Sequence, residues 1–275
     1  MPGVASFDDT RAILRAHGLH TVCEEAECPN KSECYAHRTA TFMILGNVCT
    51  RRCSFCAVTQ ANPHAAPPDP DEPRRLAEAT AELGLRHVVI TSVNRDDLPD
   101  QGAGHFAACV RAVQGLAPAP RVEVLIPDFR GDAVMLRVVV ESPVDVLNHN
   151  TETVSRLYSR IRPGARYDRS LMLLYRAKEI RPGMLTKSGL MLGLGEKTDE
   201  IRATIWDLRD TGCDILTLGQ YLQPAPDRHP VERYVHPDEF AAWRREALAL
   251  GFRHVEAGPL VRSSYHAWKH IPAGG

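Results

Sequence analysis

Thr41-Phe42-Met43-Ile44-Leu45-Gly46-Asn47-Val48-Cys49-Thr50-Arg51-Arg52-Cys53-Ser54-Phe55-Cys56 runs from an apolar stretch directly into three closely spaced cysteines. The apolar part, residues 41–46, has the length of a buried strand, and the cysteines stand in the loop that leaves it. Five further apolar runs follow, at residues 87–93, 121–127, 145–150, 188–195 and 215–222. Segments of helical spacing lie among them, at 72–83, 104–114, 151–159, 168–180 and 199–211. Such alternation predicts a parallel sheet with crossover helices, closed as a barrel or open and doubly wound. Polar residues cluster where the runs end: Asn94-Arg95-Asp96-Asp97, Asn148-His149-Asn150, Glu196 and Gln220. Strands often end in polar residues for no functional reason, but four such ends in succession favour a barrel, which would gather them at one mouth.

The 275 residues are 44% hydrophobic and 24% charged, values of a folded globular chain with room for a substantial core. A formal net charge of -1 gives no global pull toward nucleic acid. No run approaches the roughly 18 consecutive apolar residues of a membrane span, and the first ten residues hold Asp8 and Asp9 with no apolar signal core. The expectation is a cytoplasmic protein. Residues 62–73, crowded with proline and acidic side chains, read as a loop.

Six of the eight cysteines fall into two triplets, Cys23, Cys28 and Cys34 as C-x4-C-x5-C and Cys49, Cys53 and Cys56 as C-x3-C-x2-C. In a chain of this length without a secretory signal they point to metal chemistry rather than disulfides. Structural zinc normally closes its site with four ligands, and each triplet is one short. A cubane iron–sulfur cluster accommodates three thiolates and leaves one iron for another ligand. Cys109 and Cys213, in apolar surroundings, read as buried structural thiols.

The second triplet, with Phe55 between its last two cysteines, resembles the signature of radical S-adenosylmethionine enzymes. The first triplet narrows the resemblance to the lipoyl synthase family, through Val22-Cys23-Glu24-Glu25-Ala26 and Cys28-Pro29-Asn30. It continues through Ala40 to Gly46, through Thr91-Ser92-Val93-Asn94-Arg95-Asp96-Asp97-Leu98 and through Asn148-His149-Asn150-Thr151-Glu152-Thr153. It extends to Thr186-Lys187-Ser188-Gly189-Leu190-Met191, Gly219-Gln220-Tyr221-Leu222 and Gly258-Pro259-Leu260-Val261-Arg262-Ser263-Ser264-Tyr265. Departures are Tyr35 for tryptophan, Arg38 for glycine, and Asn47 and Asn94 where aspartate is common.

The resemblance implies a partial six-stranded βα barrel of the TIM type (40–224), an N-terminal cluster-binding extension (1–39) and a C-terminal segment (225–275) completing the second cluster site. It implies two 4Fe-4S clusters, one on Cys49, Cys53 and Cys56 with S-adenosylmethionine as fourth partner, the other on Cys23, Cys28, Cys34 and Ser264. Ser263 is the alternative serine. The implied cofactor contacts are Asn94, Arg95, Asp96, Asn148, Lys187 and Glu196, and the implied substrate contacts His149 and Arg262. Gly189, Gly193 and Gly195 resemble a strand whose bare backbone the cofactor approaches. The implied reaction adds sulfur at carbons 6 and 8 of an octanoyl group on a lysine of a lipoyl carrier domain or H protein. A ferredoxin or flavodoxin reductant and an iron–sulfur carrier for rebuilding the second cluster are the other implied partners. The rival readings are a different radical sulfur-inserting or thiomethylating enzyme and a noncatalytic iron–sulfur carrier. Arg51 and Arg52 read as surface charges or as cations favouring a reduced cluster. Arg156, Arg160, Arg162, Arg166 and Arg169 form a basic run, either a solvated face or a carrier-docking one.

Overall fold

The computed structural model describes residues 7–36, 40–60 and 66–267. Arg38 and positions 62–65 of the proline-rich loop lie outside them. In chain order the elements are α1 (Phe7–Ala16), β1 (His20–Thr21), α2 (Val22–Glu25), α3 (Lys31–Ala36), β2 (Thr41–Ile44), α4 (Glu72–Leu83), β3 (His87–Ser92), α5 (Ala103–Gln114), β4 (Arg121–Leu125), α6 (Ala133–Val140) and β5 (Val146–Asn148). The series continues with α7 (Tyr158–Ile161), α8 (Tyr167–Ile180), β6 (Leu185–Leu192), α9 (Thr198–Asp210), β7 (Ile215–Gln220), α10 (Pro237–Ala249) and β8 (His254–Gly258).

One eight-stranded sheet follows chain order from β1 to β8, antiparallel only between β1 and β2. Among the described residues no ladder joins β8 back to β1, so the barrel is partial and open. The six expected strands are β2 to β7. β8 adds a seventh parallel strand beside β7, so the sheet runs on past residue 224. Helices cover the outer face, which explains why β2, β5 and β7 are buried along their whole length instead of alternating. Pro73 opens α4 and Gly84, at φ 63°, closes it, each supplying the backbone geometry that end demands.

The helix expected over 151–159 is corrected. Glu152 sits at φ 67°, donates its N–H to the Gly189 carbonyl (2.9 Å) and accepts from Met191 N (2.9 Å), forming a parallel bridge to β6. Those groups are therefore spent on the sheet, and helical geometry starts only with the 3-10 turn Ser155–Leu157 leading into α7. No helix among the described residues is long and apolar enough to cross a membrane.

Candidate active site

The mouth of the open barrel holds a cavity of about 480 Å³, within the range of small-molecule sites. All six cysteines of the two triplets line it, together with Asn94, His149, Asn150, Glu152, Arg162 and the tail Arg262-Ser263-Ser264-Tyr265.

The second triplet lies on the loop leaving β2. Backbone bonds pin this loop: Cys49 N to the Thr59 carbonyl (2.9 Å), Thr50 N to Asn94 O (3.0 Å) and Ser54 N to Ile161 O (2.9 Å). The Arg51 N–H points at Cys49 Sγ (3.4 Å). Burial pushes the Cys56 thiol up to about 12, with Cys53 and Cys49 adding to it, and raises Cys53, where Cys49 adds.

The first triplet is assembled by α2, the turn after it and α3. Thr21 Oγ1 caps α2 by accepting from Glu24 N (3.3 Å), and the Tyr35 hydroxyl meets the same Thr21 oxygen (2.7 Å). Burial raises Cys23 to about 11 and Cys34 to about 12, and Cys28 acts on both as a like charge. The C-terminal tail is tied to this unit by contacts that include Asn30 Nδ2 donating to Leu260 O (2.7 Å), the Tyr265 hydroxyl donating to Glu33 (3.2 Å) and His266 Nε2 lying 3.7 Å from Glu33. These ties set Ser263 and Ser264 on the cavity wall beside the first triplet.

The donor set fits soft metal clusters, thiols being the ligands that iron–sulfur centres take. Among the described residues no three His, Cys, Asp or Glu side chains converge on a single point as ligands of one ion would. Buried polar atoms on the wall remain without partners, namely Ser92 Oγ, Asn150 Oδ1 and Arg162 Nε, the condition expected where a polar ligand completes the hydrogen bonding. Arg162 reaches the cavity while its Nη1 donates to Asn150 O (2.8 Å), Thr151 O (3.1 Å) and Tyr158 Oη (3.0 Å). Burial raises the Glu152 carboxyl above its ordinary range.

The chain is similar to curated proteins named lipoyl synthase. It is 56% identical over 264 residues to that of Haemophilus influenzae, covering 96% of this chain and 82% of the relative. It is 60% identical over 266 residues to that of Methylococcus capsulatus, covering 95% and 82%. The Radical SAM superfamily model matches residues 43–208. The chain belongs to the lipoyl synthase family. It is therefore an enzyme, a sulfurtransferase of the radical S-adenosylmethionine superfamily. Methylornithine synthase, 14% identical over 96% of this chain and 86% of its own with a TM-score of 0.58, shares the fold.

The structure separates the expected site residues into two groups. The six cysteines, Ser264, Asn94, His149 and Arg262 line the cavity, whereas Arg95, Asp96, Asn148, Lys187 and Glu196 do not. Arg95, 2% exposed, is forked against Asp97 (2.9 and 2.8 Å). Asp96 receives Arg51 Nε (2.8 Å) and Nη2 (3.0 Å). Asn148 and Lys187 both donate to Glu123 Oε1 (3.2 and 2.8 Å) beneath the cavity. Burial opposes both charges of this last pair. Attraction from Lys187 wins at Glu123, held down to about 2, while desolvation wins at Lys187, which falls below the usual lysine range. Glu196 accepts from Gly193 N (2.6 Å) and Leu194 N (2.8 Å), so it shapes the turn where Gly193 and Gly195 stand at φ 100° and 99°.

His149 lines the cavity with both ring nitrogens engaged. Nδ1 faces the Ile126 carbonyl (2.9 Å), which can only accept, so the proton sits on Nδ1 and Nε2 accepts from Ser170 Oγ (2.9 Å). Burial, followed by the charge of Arg162, lowers it to about 4 and keeps the ring neutral. Arg51 is no surface charge: it is 6% exposed and also donates to the buried Asp128 (2.6 Å), while Arg52 is exposed. The Asn94 amide turns its oxygen to Arg51 Nε (2.7 Å). Cys109 and Cys213 are fully buried. Sequence reasoning left Glu152 without a role and grouped Arg162 with its exposed neighbours. The i, i+4 spacing of Tyr158 and Arg162, one on the other, was the signal that Arg162 turns inward.

Proposed function

We propose that this enzyme inserts two sulfur atoms, at carbons 6 and 8, into an octanoyl group carried on a lysine of a lipoyl carrier protein. In this reading, Cys49, Cys53 and Cys56 hold the 4Fe-4S cluster that takes S-adenosylmethionine, and Cys23, Cys28, Cys34 and Ser264 hold the one that gives up sulfur. The observation that carries the reading is that both triplets and the Ser264 tail line one cavity. When bound, the first cluster and S-adenosylmethionine supply a 5'-deoxyadenosyl radical able to abstract hydrogen from an unactivated carbon.

The protein's own residues bind, orient and exclude. Apolar Val22, Met43, Leu190 and Met191 on the cavity wall suit an alkyl chain, and the free polar atoms of Ser92, Asn150 and Arg162 suit the polar cofactor. The neutral His149 adds bulk without a competing charge. A serine oxygen holds iron less firmly than a thiolate, which favours release of that iron when sulfide is withdrawn. The external reductant is of the ferredoxin or flavodoxin class, and an iron–sulfur carrier rebuilds the spent cluster. Eight free thiols are compatible with a reducing cytoplasm.

The test is an anaerobic single-turnover assay on an octanoyl-lysine peptide, quantifying 5'-deoxyadenosine, monothiolated and lipoyl products. Replacing Cys49, Cys53 and Cys56 together should leave about half the iron and abolish 5'-deoxyadenosine. Ser264→Cys and Ser264→Ala should retain 5'-deoxyadenosine and lose lipoyl product. Full lipoyl yield from both variants removes Ser264 from the cluster.

A further inference from the structure

A second opening, a cleft of about 300 Å³, lies beside the cavity between the loop after β4 and the start of α8. Two chain-adjacent pairs fix its position. Pro127 lines the cavity and Asp128 the cleft; Ala165 lines the cavity and Arg166 the cleft. Four arginines line this cleft, Arg130, Arg166, Arg169 and Arg176. The acids among them are largely committed elsewhere. Asp128 is shared between Arg51 (2.6 Å) and Arg169 (3.1 Å), and Asp132 caps α6 by accepting from Val134 N (2.8 Å). Asp168 pairs with Arg166, both some two-thirds exposed, in a contact that water screens and a partner can exchange.

Arg130 is exposed, and among the described residues its guanidinium has no partner. It occupies the left-handed region at φ 51°, between Phe129 at 43° and Gly131 at 84°. Three successive residues in that conformation are costly, and here they hold an unpaired cation at the rim of the site. Met172, 45% exposed and on α8, which Arg166 precedes, lines the same cleft. Arginine and methionine are both enriched at protein interfaces.

We propose that this cleft docks the carrier protein, through carboxylates flanking its modified lysine, so that the octanoyl arm enters the adjoining cavity. The proposal rests on the substrate reading above and adds to it the surface by which the carrier body is recognised. Charge complementarity and the shared wall with the cavity select this occupant.

The test compares an octanoylated lipoyl carrier domain with a charge-neutral octanoyl-lysine tripeptide, using wild type and the Arg130→Glu/Arg166→Glu variant. For the carrier domain, KM should rise by at least about tenfold and its dependence on salt should weaken, because like charges then face each other. Turnover of the tripeptide and the thermal midpoint should be unchanged, both residues being exposed. A carrier domain whose flanking carboxylates are replaced by amides should lose its preference for wild type over the variant. A carrier KM within twofold of wild type overturns the docking proposal and leaves sulfur insertion intact. Failure of wild type on both substrates overturns the substrate reading itself.

Discussion

Replacing Lys187 with methionine strands a charge inside the barrel. Lys187 Nζ lies 2.8 Å from Glu123 Oε1, and both side chains are fully shielded from solvent. What remains around Glu123 is the Asn148 amide at 3.2 Å and His87, whose Nε2 stands 3.7 Å from Oε2, too far for a hydrogen bond. Breaking a buried pair by removing one member costs about 3–5 kcal/mol, roughly a hundred- to several-thousandfold in the folding equilibrium. The assay is urea unfolding of wild type, Lys187→Met, Glu123→Gln and the double variant. The double variant should recover much of the loss, because it buries no net charge. The sign with pH follows from Glu123, whose carboxyl is held below its ordinary 4.5. Its contribution to wild type is present above the unfolded value and lost as pH falls through the folded one. The Lys187→Met deficit is therefore greatest near neutrality and shrinks below about pH 4.5. A loss under about 1 kcal/mol at pH 7, or a deficit that does not shrink in acid, refutes the reasoning. Weakened S-adenosylmethionine binding at unchanged stability would return Lys187 to the cofactor.

Two further outcomes are expected. His149 is neutral in the folded protein down to about pH 4, against 6.5 when unfolded, so the unfolded state binds more protons between these values. Stability should fall by about 3 kcal/mol from pH 6.5 to 4 on this account, and His149→Gln should flatten that slope in unfolding measured across pH. The Asn30→Ala/Glu33→Gln/Tyr265→Phe variant removes the Asn30–Leu260 and Tyr265–Glu33 hydrogen bonds and the charge that His266 faces on Glu33. Iron measured after reconstitution should drop from about eight to about four per chain while 5'-deoxyadenosine formation persists. Retention of all the iron would show that the tail does not close that site.

The parts of the fold that the sequence disclosed are those whose apolar runs are continuous. β2, β5 and β7 are buried along their whole length, and β3 and β4 are buried at their centres, so each leaves an apolar run in the chain. β8 escaped because His-Val-Glu-Ala-Gly has Val255 as its one large apolar residue, where β4, equally rich in ionisable residues, has Val122, Val124 and Leu125. The start of β6 read late for a related reason: Thr186 and Lys187 are polar, yet they point into a buried network where Glu123 and Asp214 receive them. At the site, cysteine spacing was legible because cluster ligation is local in sequence. Contacts such as Arg51 with Asp128, 77 positions apart, are made by the fold, and a linear reading assigns such charges to the surface. The Asn94 to Asp97 cluster shows the same limit. Its position after a strand was correctly read, but Arg95 and Asp97 satisfy each other and only Asn94 faces the cavity.

The tie between Asn30 and Leu260 spans 230 positions. At about 5–20 residues per second, a ribosome needs about 10–50 s to make the chain between them. Throughout that interval Cys23, Cys28 and Cys34 exist without the wall that Ser264 and its neighbours later provide. These thiols are thus translated well before the segment that walls them in. A chain still being made therefore carries three thiols whose cavity wall is incomplete until residues 260–265 emerge and dock, and thiols so exposed must be kept reduced meanwhile.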